Sequence, residues 1–174
     1  MSLATITAAI RDIPDFPKPG IVFKDITPLL QDPEMFRETV DLISAPWHDQ
    51  SIDLIVGIDA RGFIFGSVMA YQMGVGFVPV RKQGKLPWSS FKAEYDLEYG
   101  TGTVEMHIDA VAAGQRVLIV DDLLATGGTA RAAIELVEQA GGEVVGVQAV
   151  IELAFLNPRQ KLSDQLVRSL IVVS

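Results

Sequence analysis

A chain of 174 residues with 49% apolar content is long enough for one domain with a full hydrophobic core. Its formal charge of −8 argues against nonspecific nucleic-acid binding. The lack of cysteine excludes disulfides, thiolate zinc sites and cysteine nucleophiles, and His48 and His107 alone are a poor basis for a histidine metal centre. No apolar run reaches bilayer-spanning length, and the N-terminal residues lack the basic segment and apolar core of a secretory signal, so a cytoplasmic protein with neither a membrane nor a nucleic-acid partner is expected.

Taken in chain order, Ile6, Ile10 and Ile13 follow helical spacing and predict a first helix that Pro14 ends. A Pro-rich stretch, Pro14-Asp15-Phe16-Pro17-Lys18-Pro19-Gly20, precedes the apolar run that starts at Ile21. Asp32-Pro33 supplies a cap and a first-turn proline for a second helix. Residues 53–58 read as a buried strand, 62–73 as a buried helix and 77–80 as the next strand. Gly74-Val75-Gly76 falls between helix and strand, the wrong order for a dinucleotide loop, and is read as a helix stop.

Residues 81–102 form the least regular stretch and carry four of the fourteen basic residues, Arg81, Lys82, Lys85 and Lys92. A solvated surface hairpin is one reading. A mobile basic lid is favoured, because an acidic protein with an anionic substrate needs local positive charge. Within the stretch, Glu94-Tyr95-Asp96-Leu97-Glu98-Tyr99-Gly100 alternates acidic and apolar residues, as a strand arm with a solvated acidic face would.

Residues 117–121 (Val-Leu-Ile-Val-Asp) are β-branched-rich and non-alternating, which fits a buried parallel strand. Thr126-Gly127-Gly128-Thr129 then opens a helix with Ala130, Ala133, Ile134 and Val137 on one side, stopped by Gly141-Gly142. Residues 143–151 and the tail from Leu170 read as further strands. The β-α-β-α-β order predicts an α/β fold, a mostly parallel twisted sheet flanked by helices, with residues 1–174 as a single domain.

The chemistry concentrates at two strand-to-helix junctions. Asp121 and Asp122 place paired oxygen ligands beside glycine-rich backbone N–H groups at a helix N-terminus. That combination suits a substrate with both hydroxyls and a phosphate. Ile58-Asp59-Ala60-Arg61-Gly62-Phe63 offers a second anion site with a guanidinium. Alone it reads equally well as an exposed turn.

The run VLIVDDLLATGGTA resembles the phosphoribosyl pyrophosphate (PRPP) motif of the type I phosphoribosyltransferases, and its form DDLLATGGT is similar to that of their adenine-specific members. The resemblance implies the type I phosphoribosyltransferase fold with a small N-terminal hood, about 13–30, and a long flexible loop, about 81–102. It implies that Asp121 and Asp122 hold the ribose hydroxyls and that Ala125, Thr126, Gly127, Gly128 and Thr129 cradle the 5′-phosphate. By the same resemblance Ala60, Arg61, Gly62, Arg81, Lys82 and Lys85 contact pyrophosphate. Val22, Phe23 and Lys24, in the hood segment Phe16 to Pro28, would meet the adenine edge, and Leu153 would pack on its face. LEYG resembles the segment with the acid/base glutamate, so Glu98 would handle the proton on the purine and Tyr99 would help close the site. Mg²⁺ would bind mainly through substrate oxygens, with no direct protein ligand, and the enzyme would be a homodimer. The implied reaction is transfer of the 5-phosphoribosyl group from PRPP to adenine, giving AMP and pyrophosphate. The alternatives are the same transfer to another purine such as xanthine, or a non-catalytic PRPP-sensing regulator. One departure stands out: Leu156-Asn157-Pro158-Arg159 has Pro where the family pattern has Gly before Arg.

Overall fold

A computed structural model describes residues 2–96 and 101–174. The chain divides into two compact units, Met1–Ala45 and Pro46–Ser174.

The first unit contains α1 (Leu3–Ala8), a two-stranded antiparallel ribbon of β1 (Arg11–Pro14) and β2 (Val22–Asp25), then α2 (Thr27–Gln31) and α3 (Pro33–Ser44). The first helix is shorter than its isoleucine spacing predicts. Ile10 lies beyond its end, and Ile13 sits in β1 opposite Phe23. A six-residue helix has little intrinsic stability, and the β-branched Ile13 is better used in a strand pair. The Pro-rich connection is held by the Asp15 carboxylate, which accepts the Gly20 N–H at 2.7 Å. Phe16 stacks edge-on against Phe23, with ring centroids 5.3 Å apart. The expected cap of α3 is present: the Asp32 carboxylate accepts the N–H groups of Glu34 and Met35, each at 2.9 Å.

The second unit is built on a seven-stranded sheet. Its elements are β3 (Leu54–Ile58), α4 (Gly62–Met73), β4 (Gly76–Lys82), β5 (Ser90–Asp96), β6 (Thr101–His107), β7 (Arg116–Leu124), α5 (Gly128–Gln139), β8 (Glu143–Leu153) and β9 (Val167–Val173). The strand order is β5-β6-β4-β3-β7-β8-β9. The pairs β3/β4, β3/β7, β7/β8 and β8/β9 are parallel, while β6 runs antiparallel to both β4 and β5. The mostly parallel α/β sheet expected from the sequence is therefore present.

Strand residues two apart share a face, and the two faces take different helices. Val56, Ile58, Val117 and Ile119 join one core with Ala130, Ala133, Ile134 and Val137 of α5. The alternate positions Ile55 and Gly57 lie under Gly66 of α4, close enough that a Cβ on Gly66 would meet Gly57 Cα at 3.4 Å and Ile55 Cγ2 at 3.6 Å. From β3 the chain crosses through α4 to β4 on one side. From β7 it crosses through α5 to β8 on the other. The sheet order reverses between β3 and β7, and open α/β sheets bind ligands at the carboxyl ends of such strands.

The stretch 81–102 is more regular than its composition predicts. β4 continues to Lys82, and β5 pairs with β6 from Ser90↔His107 to Asp96↔Thr101. The period-2 alternation of Phe91, Ala93 and Tyr95 with Lys92, Glu94 and Asp96 wins over the charge content. Among the described residues of this stretch, the segment between Lys82 and Ser90 lies outside the strands. Tyr95 covers the flank of its cross-strand neighbour Gly102, where a Cβ would come within 2.5 Å of the ring.

Candidate active site

β7 runs three residues beyond the expected strand end at Asp121, so both carboxylates lie within a hydrogen-bonded strand at the reversal point. Asp122 is 5% exposed, and its N–H donates to Asp121 Oδ1 at 2.9 Å. Burial and the neighbouring Asp122 charge hold the Asp121 carboxyl well above the ordinary aspartate range. Burial also raises Asp122, and the Arg61 guanidinium opposes that shift. Arg61 Nη2 lies 2.8 Å from Asp122 Oδ2, which links the junction after β3 to the one after β7.

Beyond Asp122 the chain turns through Ala125 and Thr126 into α5. Gly127 precedes the helix at φ +80°, a conformation that side chains rarely adopt. Ala125, Thr126, Gly127, Gly128 and Thr129 line one cavity of about 230 Å³ together with Asp121. Tyr95, Asp96 and Leu156 also line it. The first turn of α5 thus presents unpaired N–H donors and the positive end of the helix dipole to a partly open cavity.

At the other junction the Asp59–Ala60 peptide is cis and Gly62 begins α4. A Cβ on Gly62 would come within 2.8 Å of the Val120 carbonyl and 2.9 Å of Asp121 Oδ1, so glycine is what lets α4 start against the end of β7. Asp59, a nearly buried carboxylate, faces two cations. Arg81 Nε and Lys85 Nζ stand 3.4 and 3.3 Å from Asp59 Oδ2. Burial opposes ionisation there, yet Lys85, the Lys82 backbone N–H and Arg81 together hold the Asp59 carboxyl below its ordinary range. Arg81 also donates to the Lys85 carbonyl at 3.2 Å. The turn between them is fixed to the sheet by Gly84, whose N–H donates to buried Glu105 at 3.0 Å.

These pieces form two adjacent anion-accepting corners joined by Arg61 and Asp122. A phosphoribosyl transferase domain model matches residues 27–169. The chain belongs to the phosphoribosyltransferase family. It is 57% identical to an adenine phosphoribosyltransferase of Thermobifida fusca over 164 residues, 94% of this chain and 93% of that one. It is 54% identical to its Acidothermus cellulolyticus counterpart over 168 residues, 97% of this chain and 95% of that one. Among solved structures, adenine phosphoribosyltransferase of Thermoanaerobacter pseudethanolicus superposes with a TM-score of 0.97 at 52% identity, covering 99% of this chain and 100% of that one. The Saccharomyces cerevisiae protein, solved with an imino-altritol bisphosphate and adenine, gives a TM-score of 0.91 at 43% identity, covering 97% of both chains.

Within this phosphoribosyltransferase, the structure brings together most of the residues singled out from sequence in the second unit. Asp121 and residues 125–129 share the cavity, Asp122 meets Arg61, and Arg81 and Lys85 meet at Asp59. Lys82 ends β4 and is exposed, as is Ala60. Leu153 is the buried last residue of β8. Val22, Phe23 and Lys24 lie along β2 of the first unit, where Lys24 Nζ bonds to Asp12 at 2.7 Å. Glu98 and Tyr99 lie outside the described residues. Sequence reasoning missed Asp59 as the acceptor for the two cations and missed Tyr95 and Asp96 as cavity wall. A buried acid at the start of an anion loop was the available signal for Asp59. The strand alternation hid the other two, because it says which side chains share a face but not what that face meets.

Proposed function

We propose that the chain transfers the 5-phosphoribosyl group from PRPP to adenine, releasing pyrophosphate and forming AMP. The observation that carries this reading is the Arg61–Asp122 contact, which joins a carboxylate pair and phosphate cradle to a separate cluster of cations. The names of the relatives support adenine as the acceptor.

In this reading Asp121 and Asp122 accept hydrogen bonds from the ribose hydroxyls, and the 125–129 loop donates to the 5′-phosphate. Arg61, Arg81, Lys82 and Lys85, with the backbone of Ala60 and Gly62, neutralise charge on pyrophosphate. The C1–oxygen bond breaks with its electron pair leaving on pyrophosphate, and the sugar carbon takes on oxocarbenium character. Adenine N9 forms the new bond to C1 and its proton passes to Glu98, while Tyr99 helps close the site. Val22, Phe23, Lys24 and Leu153 are assigned to the base through the sequence resemblance. Arg81 and Lys85 contact Asp59 of their own chain, which supports action on their own site.

Mg²⁺, when bound, offsets charge on the diphosphate. Asp121 and Asp122 are oxygen donors of the kind it takes, but Asp122 is engaged by Arg61, so substrate oxygens and waters are proposed as its main ligands. We also propose a homodimer. The helix α4 is mostly apolar, yet Tyr71 on it is 89% exposed, as on a face awaiting a second copy. No helix among the described residues is long and apolar enough to cross a membrane, and a cytoplasmic location is proposed.

The test is pyrophosphate release from PRPP and Mg²⁺ with adenine, hypoxanthine, guanine, xanthine and orotate assayed in parallel. Release with adenine alone is expected. Release with another base instead would overturn the base assignment, and PRPP binding without release would make the protein a sensor.

A further inference from the structure

We infer that Arg159 and Glu152 are positioning residues that set the shape of the 5′-phosphate cradle without touching the ligand. This rests on the proposed assignment of residues 125–129 to that phosphate.

Glu152 is 2% exposed near the end of β8, so its charge needs a partner. Arg159 grips it as a fork: Nε to Oε1 and Nη2 to Oε2, both at 2.8 Å. Ser169 Oγ donates to Oε2 at 2.7 Å, and Arg159 Nη1 donates to the Val167 carbonyl at 3.2 Å. The groups that Arg159 grips therefore belong to β8 and β9, the two strands that follow the cradle in the sheet.

The clamp reaches the start and the middle of the phosphate loop. Glu152 is the register partner of Leu124, the last residue of β7 before the loop begins. At the middle of the loop, a Cβ on Gly127 would come within 2.7 Å of the Pro158 carbonyl oxygen, so the backbone at Gly127 rests directly on the residue preceding Arg159. Leu156, from the same turn, lines the cavity. The turn's backbone hydrogen bonds are local: Asn157 sits at φ +50°, its N–H donates to the Ala154 carbonyl at 2.9 Å, the Lys161 N–H donates to the Pro158 carbonyl at 3.2 Å, and the Leu162 N–H donates to the Arg159 carbonyl at 3.2 Å. Packing of Pro158 and Leu162 holds the turn against the core, and the fork is its charged tie to β8 and β9. Loss of the fork loosens the seat of Pro158, and the backbone at Gly127, with its N–H donors, shifts with it. Arg159 is absent from the lining of the cradle, so its effect on a phosphate there is geometric.

Arg159→Lys separates geometry from charge, because lysine keeps the positive charge and loses the planar fork. Ribose 5-phosphate probes the cradle and pyrophosphate probes the corner at Arg61, each titrated by calorimetry with Mg²⁺ present. Ribose 5-phosphate binding is expected to weaken roughly tenfold, as when the supporting shell of a site is loosened, with pyrophosphate affinity held within roughly twofold. Should Arg159→Lys fail to fold, the double variant Glu152→Gln/Arg159→Gln removes the pair without stranding a buried charge, and the same split is expected. A folded variant that binds ribose 5-phosphate like wild type overturns the positioning role, as does equal weakening of both ligands. Wild-type protein that binds pyrophosphate but no ribose 5-phosphate would instead overturn the assignment of the cradle itself.

Discussion

Arg61 Nη2 and Asp122 Oδ2 stand 2.8 Å apart, across the boundary between two parallel strands that lead into different helices. A single ion pair therefore couples the corner assigned to pyrophosphate with the carboxylates assigned to ribose. Arg61→Lys keeps the charge and gives up the fork. Its kcat/KM for PRPP is expected to fall roughly 10- to 100-fold, the worth of interactions with charged groups when donor geometry is lost. Steady-state kinetics beside a thermal melt check this. A large drop in Tm with kcat/KM intact would make Arg61 structural.

Asp59 organises Arg81 and Lys85, and it does so as a carboxylate across the neutral range. Its folded pKa is depressed, so its stabilising contribution is present above the ordinary aspartate value and is lost as pH falls through the depressed one. Asp59→Asn removes that anchor at every pH. The KM for PRPP should rise roughly fivefold, the upper end for partly exposed ion pairs. It should do so uniformly from pH 6.5 to 8.5. An unchanged KM would show that the two cations need no organiser.

Much of this was legible in the chain. Five of the seven strands in the large sheet, and both crossover helices, follow from β-branched runs punctuated by glycine, because burial on both faces leaves no other use for such runs. The 125–129 loop was legible for the same reason: Gly127 at φ +80° and Gly128 at the start of α5 are demanded by a tight turn. What was not legible depends on distant pairing. Whether Ile13 continues a helix or pairs with Phe23 is decided by residues ten positions away. Arg159 read only as the end of a departure from pattern until β8 brought Glu152 beneath it. Asp59 likewise acquires its role from Lys85, which only the turn after β4 brings back to it.

Asp121 in the proposed site is expected to cost stability. Its folded pKa is raised, so holding it ionised costs stability, and that cost grows as pH rises from the ordinary aspartate value through the raised one. Asp121→Asn removes the charge and most of the cost. Its Tm at pH 8 should exceed wild type by roughly 2–4 °C, equivalent to about 1 kcal/mol in a domain of this size, while PRPP turnover falls. Below pH 4 the two melts should converge. A variant less stable than wild type at pH 8 would show that Arg61 and the local N–H groups outweigh the burial.

Glu98 carries the proton step in the proposed reaction, and a general base contributes differently from a binding group. Glu98→Gln keeps size and hydrogen-bonding reach but cannot take the N9 proton. An interaction made only in the transition state lowers kcat and kcat/KM together and leaves ground-state binding alone. The expected loss in kcat is roughly 10²- to 10⁴-fold, the range for a positioned acid or base, with PRPP dissociation constants near wild type. Single-turnover mixing of the enzyme–PRPP complex with adenine measures the chemical step directly. If that step runs at the wild-type rate in Glu98→Gln, adenine loses its proton to another acceptor, and the cavity-wall residue Asp96 becomes the next candidate to test.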